Sequence, residues 1–496
     1  MRSVIANMKC SDLIQTHYYR DIQVTSQTPE QTAIAELQKE VEELQTDLAT
    51  TDTNLTTLTN DFNSFKDKFI IVYPTDTDEV VQQKISTPNI SKIIFAKGTY
   101  NNITTTKNIP SNKTLIGYGA TIVAPSSIEW VVFQNDSNGI IGGYNANENI
   151  NILGFEFIGE NLLSGQGASV MGFIHCNHII IKDCKFRRLW TGGHFIELNA
   201  CHACVVDSCY FYDYTGTEMV QLDQASDVGT YPVIPNGPWD GTGCSAITIT
   251  NCTFENPQAY TAEHGADTFP AGIGIHNKNG NNSTHIKVVG NTFATITTAL
   301  RFVKIASSVF NNNTAYGIYN FFSVATDSNA AVTANFAGNI ISGNTINCAA
   351  KIASPTVVDS YKYTAITYNG ANSVIADNQI WNASADGIQM RGHDNVISNN
   401  RISNCGRSGI SLIGTDGVSI TGNHCTLNRE KNVDTSDADI RASGQINCII
   451  SDNTVNKMFI YTDKVGNPII NNLITQTLTN TGGTAHNNMI NGAWTA

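Results

Sequence analysis

Two hydrophobic periods divide the chain. Between residues 30 and 70, Ile34, Leu37, Val41, Leu44, Leu48, Thr51, Leu55, Leu58, Phe62, Phe65 and Phe69 follow one another in steps of three and four. Only Thr51 interrupts the apolar seam, its flanks carry Glu, Gln, Lys and Asp, and neither Pro nor Gly falls within it. A 3.5-residue period held over about five heptads predicts an α-helical coiled coil. A helix docked on its own domain would drift to a period of 3.6. Val41 followed by Leu44 leans toward two strands, while Phe62, Phe65 and Phe69 ask for a wider core, so the heptads leave dimer and trimer open. Residues 1–29, with Tyr18, Tyr19 and a stop at Pro29, are expected to form an attachment segment.

From residue 71 to 496 the period falls to two and the chain repeats itself. The unit is a short alternating apolar run, a polar pair, Asn or Cys, one residue, then an apolar residue. Copies are Ile179-Ile180-Ile181-Lys182-Asp183-Cys184-Lys185-Phe186, Ile247-Thr248-Ile249-Thr250-Asn251-Cys252-Thr253-Phe254 and Ile286-Lys287-Val288-Val289-Gly290-Asn291-Thr292-Phe293. Later copies centre on Asn313, Asn344, Asn378, Asn400, Asn423 and Asn453; Asn291 to Asn313 and Asn378 to Asn400 are each 22 residues. A coil of that length with three short strands is the rung of a parallel β-helix. The Asn is expected to take the left-handed turn conformation and to bond its neighbours above and below. Cys184, Cys209 and Cys252 stand in the same slot, which makes them stack members. Asp78 to Ser86 reads as a short amphipathic helix covering the open end of the solenoid. The fold class is therefore all-β, a parallel β-helix preceded by an N-terminal coiled coil.

Composition agrees with this and narrows the partners. Only 14% of residues are charged against 41% hydrophobic, as suits stacked strands and tight turns rather than helices. The net charge of −13, with no Lys/Arg run, excludes nucleic acid and anionic membrane as partners and favours a neutral or zwitterionic polymer. No apolar run reaches transmembrane length, and Met1 to Cys10 lacks the apolar core of a secretory signal. The 12 cysteines are expected as reduced, buried thiols in a protein folded in a cytosol. Cys201-His202-Ala203-Cys204 lies between two strands of one rung and has no second CxxC beside it, so no metal or redox role is expected.

The helix from Asp78, the Gly98-Thr99-Tyr100 turn, Leu115 to Gly119 and the Asn-centred rungs resemble the pectate-lyase-like, right-handed β-helix superfamily. The succession His194-Phe195-Ile196-Glu197-Leu198, Glu218 to Asp223, Asp240-Gly241-Thr242-Gly243-Cys244 and Gly272 to His276 resembles the tailspikes and preneck appendages of short-tailed phages of Gram-positive hosts. That resemblance implies a virion location and a homotrimer attached through its N-terminus to a phage tail or neck protein. It also implies a β-helix that recognises, and in some members cuts, capsule or wall teichoic acid. The Tyr-Gly-Phe-Asp-Pro-His of alginate epimerases is absent, as are the paired Asp and Arg-Ile-Lys signatures of polygalacturonases. A polysaccharide lyase and a non-catalytic receptor-binding spike are the alternatives to a hydrolase.

Strand alternation points to one candidate site. With Ile196 and Leu198 facing in, Glu197 faces out; with Val220 and Leu222 in, Gln221 and Asp223 face out. Ile273 and Ile275 leave His276 outside, and Leu300 and Phe302 leave Arg301 outside. Glu197, Asp223, His276 and Arg301 are thus expected to form one outward column. Glu197, Asp223, His276, Asp240 and Glu218 are the candidate catalytic groups. Arg301, His194, Gln221, Trp239, Tyr260, His264 and Asp267 are the candidate substrate contacts, several on the long insertions after Asp223 and Phe254. Two carboxylates suit acid/base cleavage of a glycosidic bond. His276 as acid or base with Arg301 on a phosphate suits a teichoic acid phosphodiester. A divalent ion on Glu197, Asp223 and His276 has no compact ligand motif behind it, so no cofactor is expected. Asp386 to His393 with Arg407 reads as turn chemistry.

Overall fold

The computed structural model describes residues 29–494 apart from 67, 129–130, 137–141, 161, 163–167, 191–192, 226–237, 257–269, 276–280, 325–335, 349–362, 429–436, 445–446, 462–467, 481–483, 487 and 491. Two units, 1–68 and 69–496, are separately compact. The described residues of the first form one helix, α1 (Pro29–Lys66). Pro29 opens it rather than stopping the chain before it, because the first turn needs no N–H from that residue. The seam ends sooner than its heptads suggested: Phe69 begins the strand Phe69–Val72. Along α1 the seam residues Leu37, Leu44, Leu55 and Leu58 are 60–67% exposed, an apolar stripe that a single chain leaves uncovered.

The second unit is a parallel β-helix. Among the described residues a row of sixteen strands runs from Phe69–Val72 through Asn177–Lys182 and Lys287–Val289 to Thr484–His486. Second and third rows complete the rungs: Lys185–Leu189 exemplifies the second and Ile196–Asn199 the third. Among the described residues every strand pair is parallel except the last, Met489–Ile490 with Ala493–Trp494. One end is covered by α2 (Asp78–Ser86), which buries Val81 and Ile85 against the first rungs. Thr77 caps α2 by accepting the Val80 N–H, and Asp78 reaches Lys107 Nζ at 2.6 Å. Burial would raise the Asp76 and Asp78 carboxyls, but Lys84 and Lys107 respectively, with nearby N–H and hydroxyl donors, hold both below the ordinary Asp range.

The turn ladder divides its labour in a way the repeat did not reveal. The left-handed residue is the one before each ladder position: Asp183, Ser208, Asn251, Gly290, Asn312, Gly343, Asp377, Asn399, Gly422, Asp452 and Asn471, with φ of 54–69°. The ladder Asn itself turns inward. Asn378 illustrates it: its Oδ1 accepts the Asn344 backbone N–H at 3.1 Å, and its Nδ2 donates to Ile341 O at 3.0 Å and to Asn400 Oδ1 at 2.9 Å. One residue supplies the turn geometry and the next satisfies the buried backbone groups. The ladder continues through Asn472 to Asn488. The eleven cysteines among the described residues are all buried, and burial pushes the Cys201 and Cys204 thiols up. Among the described residues no group of three or more His, Cys, Asp or Glu is placed to hold a metal ion, and no helix is long and apolar enough to cross a membrane.

Candidate functional site

The third row positions the predicted residues, and its register corrects the single column. Gly172, Glu197, Gln221, Gly274 and Arg301 are successive partners across Ser169–Ile174, Ile196–Asn199, Glu218–Asp223, Ala271–Ile275 and Thr298–Phe302. Asp223 pairs with Asn199, and Asn199 with Ile174, so it belongs to the next column, two residues along the strand. Met171, Ile196, Val220, Ile273 and Leu300 face the core, as alternation requires.

The carboxylates are on the outer side but not in solvent. Glu197 is 2% exposed and Asp223 is fully buried, as are Asn199 and Glu218. The expectation of an open outward column is therefore corrected: among its described members only Arg301, 44% exposed at its side chain, reaches solvent as predicted. In place of water these groups meet one another, and segments remote in sequence come together at the ends of their strands. Gly143 N–H donates to Asp240 at 2.7 Å, Tyr144 Oη donates to Gly243 O at 2.9 Å, and Ala225 N–H donates to Thr242 O at 2.9 Å. His175, next to the end of its strand, lies between the carbonyls of Gly143 and Pro238 at 2.7 and 2.8 Å. These ties gather 142–144 and 238–243 around the strand ends. The buried groups are then hydrogen-bonded to one another, as their desolvation demands. Ser169 Oγ donates to Glu197 Oε2 at 3.3 Å, Asn199 Nδ2 to Glu197 Oε1 at 3.0 Å, and Gln221 Nε2 to Asp223 Oδ2 at 2.8 Å.

Glu218 is where alternation misleads. Counting back from Val220 in steps of two puts it inward. In the structure both Met219 and Val220 lie in the core, because the chain turns a corner there and spends two consecutive residues on the inside. Glu218 is thereby released to the outer side. Its Cγ lies where a side chain on Gly274 would sit, 2.3 Å from a built Cβ, and its Oε1 stands 3.6 Å from Arg301 Nη1. Gly274 is needed for that crossing: any side chain there collides. The Glu218 backbone is held in turn: its carbonyl accepts from His194 Nδ1 at 2.6 Å, and the Tyr214 hydroxyl lies between the carbonyls of Glu218 and Gly193. Tyr214 and Ser169 were not found by sequence reasoning; a Tyr four residues before Glu218 was the available signal.

Asp240 stands apart from these columns. Burial would raise its carboxyl, but the N–H groups of Thr242 and Gly143 hold it below the ordinary Asp range, so it ties two turns together. Trp239 beside it is 37% exposed. His276, Tyr260, His264 and Asp267 lie outside the described residues.

Comparison with known proteins supports the architecture. The family described as the right handed beta helix region matches residues 344–495. No curated protein sequence matches. Among solved structures, a Family 28 exopolygalacturonase of Yersinia enterocolitica aligns with a TM-score of 0.56 at 11% identity, over 77% of this chain and 79% of its own. A tailspike protein of Escherichia coli bacteriophage HK620, solved with a pentasaccharide, aligns at 0.55 and 12% identity, over 87% and 79%. The surface adhesin PfbA of Streptococcus pneumoniae aligns at 0.52 and 17% identity, over 72% and 89%. At these identities the likeness is one of fold, and the fold is a right-handed parallel β-helix carrying an N-terminal helix.

Proposed function

We propose that this chain is a virion-borne spike whose third β-helix row engages a host cell-surface polysaccharide or wall teichoic acid and cleaves it by hydrolysis. The observation that carries the reading is the run of outward, desolvated carboxylates Glu197, Glu218 and Asp223 on adjacent rungs, with Arg301 drawn over Glu218. Burying carboxylates outside the core is costly, and chains this poor in charge rarely do so without a use for them. Glu197 stands one rung from Asp223 and two residues aside in register, roughly 8 Å at the backbone from a rung spacing of about 4.8 Å and a rise of about 3.3 Å per residue, inside the ~5–9.5 Å that paired glycosidase carboxylates use. In that role one of them, as the acid, protonates the leaving oxygen while another activates water or attacks; Arg301 and Gln221 orient the chain. Fold-level likeness to a polygalacturonase and to tailspikes raises the prior for a glycan ligand. The exposed α1 stripe supports self-assembly, which we read as a trimer, with residues 1–28 attaching it to a tail or neck protein. One observation favours a binding-only spike instead: Glu197 and Asp223 already have polar side chains as partners and almost no exposed surface.

The test is end-group analysis after incubation with purified capsules and teichoic acids. New reducing ends, or phosphomonoester ends, that disappear in Glu197→Gln, Glu218→Gln and Asp223→Asn variants are expected. Intact polymers retained on the protein would leave a receptor-binding spike and remove the hydrolysis.

A further inference from the structure

We propose that the outward face of the first row, over the rungs of Val309, Ile340, Val374 and Val396, is where copies of this chain pack against one another. Strand alternation sends Phe310, Ile341, Ile375 and Ile397 into the core, where all four are buried. The residues on either side of each therefore face out. Val309, Ile340, Val374 and Val396 are direct partners on successive rungs and make one straight apolar stripe. Ile340 is 40% exposed, and the three valines are half-buried. Beside the stripe runs a second column of small residues, Asn311, Ser342, Ala376 and Ser398. Each of these strands opens with two consecutive apolar residues, one for each face. That is the pattern of parallel strands covered on both sides, and the solenoid core covers only one of them.

The distribution of charge identifies what covers the other side. Copies related by rotation about an axis along the solenoid meet rung to rung. Each residue of the facing surface then meets its own equivalent, and a charged residue would meet a like charge. Neither column carries a charge on these four rungs or on the next, where Ser419 and Thr421 follow. The other faces at this level do: Arg401 projects from the second row and Arg391 from the third, both exposed. The earlier part of the first row does too, with Lys182 and Asp207 paired at 2.7 Å and Lys287 exposed beyond them. The exposed acids Asp377 and Asp394 lie in the turns on either side and border the face without entering it. A partner of different sequence could answer a charge with its opposite. A second copy in this arrangement cannot, so an uncharged face is what it requires.

The size of the face sets a condition on the packing. Five rungs of two columns cover about 24 Å by 10 Å, on the order of 250 Å² per copy, well under the ~800 Å² per partner of a stable free-standing interface. The face therefore closes only between copies that another element already joins. The seam of α1 is that element: Leu37, Leu44, Leu55 and Leu58 are 60–67% exposed, and only residues 67 and 68 lie between α1 and Phe69, where the β-helix begins. A tether that short raises the effective concentration of the joined parts to about the millimolar range.

The inference rests on the self-assembly read from α1, so its test separates the two. The whole chain, with Cys10→Ser to remove the one cysteine outside the described residues, receives Val374→Cys on the face or Arg401→Cys on the second row. Mass in solution is measured by light scattering, and each variant is treated with a bis-maleimide carrying a two-carbon spacer. Val374→Cys is expected to form covalent dimers on a denaturing gel at least tenfold faster than Arg401→Cys. Adding Val396→Asp, which places a charge opposite its own copy, should slow that reaction about tenfold while the mass in solution stays that of the oligomer. Leu44→Asp with Leu48→Asp in α1 should disperse the chain and abolish the cross-link. An oligomer in which Arg401→Cys reacts as fast as Val374→Cys, or neither reacts, would overturn the face and leave the α1 assembly standing. A Val374→Cys thiol shielded from maleimide without cross-linking would mean that the chain's own segments cover the face, and would overturn the proposal as well. A parent chain with the mass of a monomer would overturn both readings.

Discussion

The two halves of the solenoid solve one problem with different chemistry. On rungs up to residue 254, the turn ladder is Cys184, Cys209 and Cys252, and the core column beside it is Phe157, Phe186, Phe211 and Phe254. These rings and Phe293 stack nearly parallel, with centroids 4.8–5.3 Å apart. Beyond Phe293 the same column becomes Ala315, Ile346, Ile380 and Ile402, and the ladder becomes Asn. An Asn carboxamide both accepts from the rung before and donates to a carbonyl, at 2.9–3.0 Å. A thiol performs the same two tasks poorly: Cys209 Sγ donates to Ile181 O at 3.6 Å, and Cys252 Sγ accepts the Cys209 N–H at 3.4 Å. Strong polar ladders accompany aliphatic rungs, and weak ladders accompany ring stacks. The first half is therefore held mainly by apolar burial and the second by satisfied backbone groups.

Four measurements would break or sharpen that contrast. In a solenoid each rung feels chiefly its neighbours, so local hydrogen-exchange protection is the appropriate readout. Phe211→Ala should have the largest effect, about 3–5 kcal/mol of lost protection, confined to the rungs around 186, 211 and 254. Spread of that loss into the Asn half would contradict the division. Asn400→Ala strips two donors of Asn378 of their acceptor and frees the Ile375 carbonyl, so about 3 kcal/mol should be lost around residues 375–423. Cys209→Ala should cost only about 1 kcal/mol, while Cys209→Asn should slow exchange of the Cys184 amide by importing the stronger ladder. A Cys209→Ala loss as large as that of Asn400→Ala would show the thiol to be a full ladder member.

The smallest effect is one of pH, and it has opposite signs at the two ends. Asp76 and Asp78 at the α2 cap are held below 3.8, so their stabilisation is complete above that value and fades as pH falls through the lowered folded value. Asp386 and Asp439 are raised by burial, against the N–H donors each accepts, so the folded rungs around them are favoured below 3.8. That advantage is lost as pH rises through the raised folded value. Between neutral pH and about pH 4, protection corrected for intrinsic exchange should rise modestly around residues 386 and 439 and stay level at the cap. Further acidification should loosen the cap first.

How much of this was legible depended on whether the deciding interaction was local. The rungs, the α2 cap, the seam of α1 and the Cys-for-Asn exchange could all be read, because period and turn chemistry repeat along the chain. The outward setting of Glu197 and Arg301 followed from simple alternation. Glu218 could not be placed that way, since a corner with two consecutive inward residues shifts the phase and nothing local in Glu218-Met219-Val220 marks it. The burial of Glu197 and Asp223 was equally invisible. No local pattern announces it, and the Gly at 274 likewise shows its purpose only when Glu218 lies across it. The stripe of Val309, Ile340, Val374 and Val396 was hidden for a related reason: each strand is ordinary by itself, and only register brings the four into line.

By itself, then, the amino-acid order determined a helix with a 3.5-residue seam followed by a stacked parallel β-helix, because those patterns are periodic and each repeat buries its own apolar face on the next. Only the tertiary structure decided which polar groups share a column, which are covered and which outward apolar residues line up on one face. Those relations are set by register between rungs and by loops that meet across long sequence separations, and neither is encoded in any one segment.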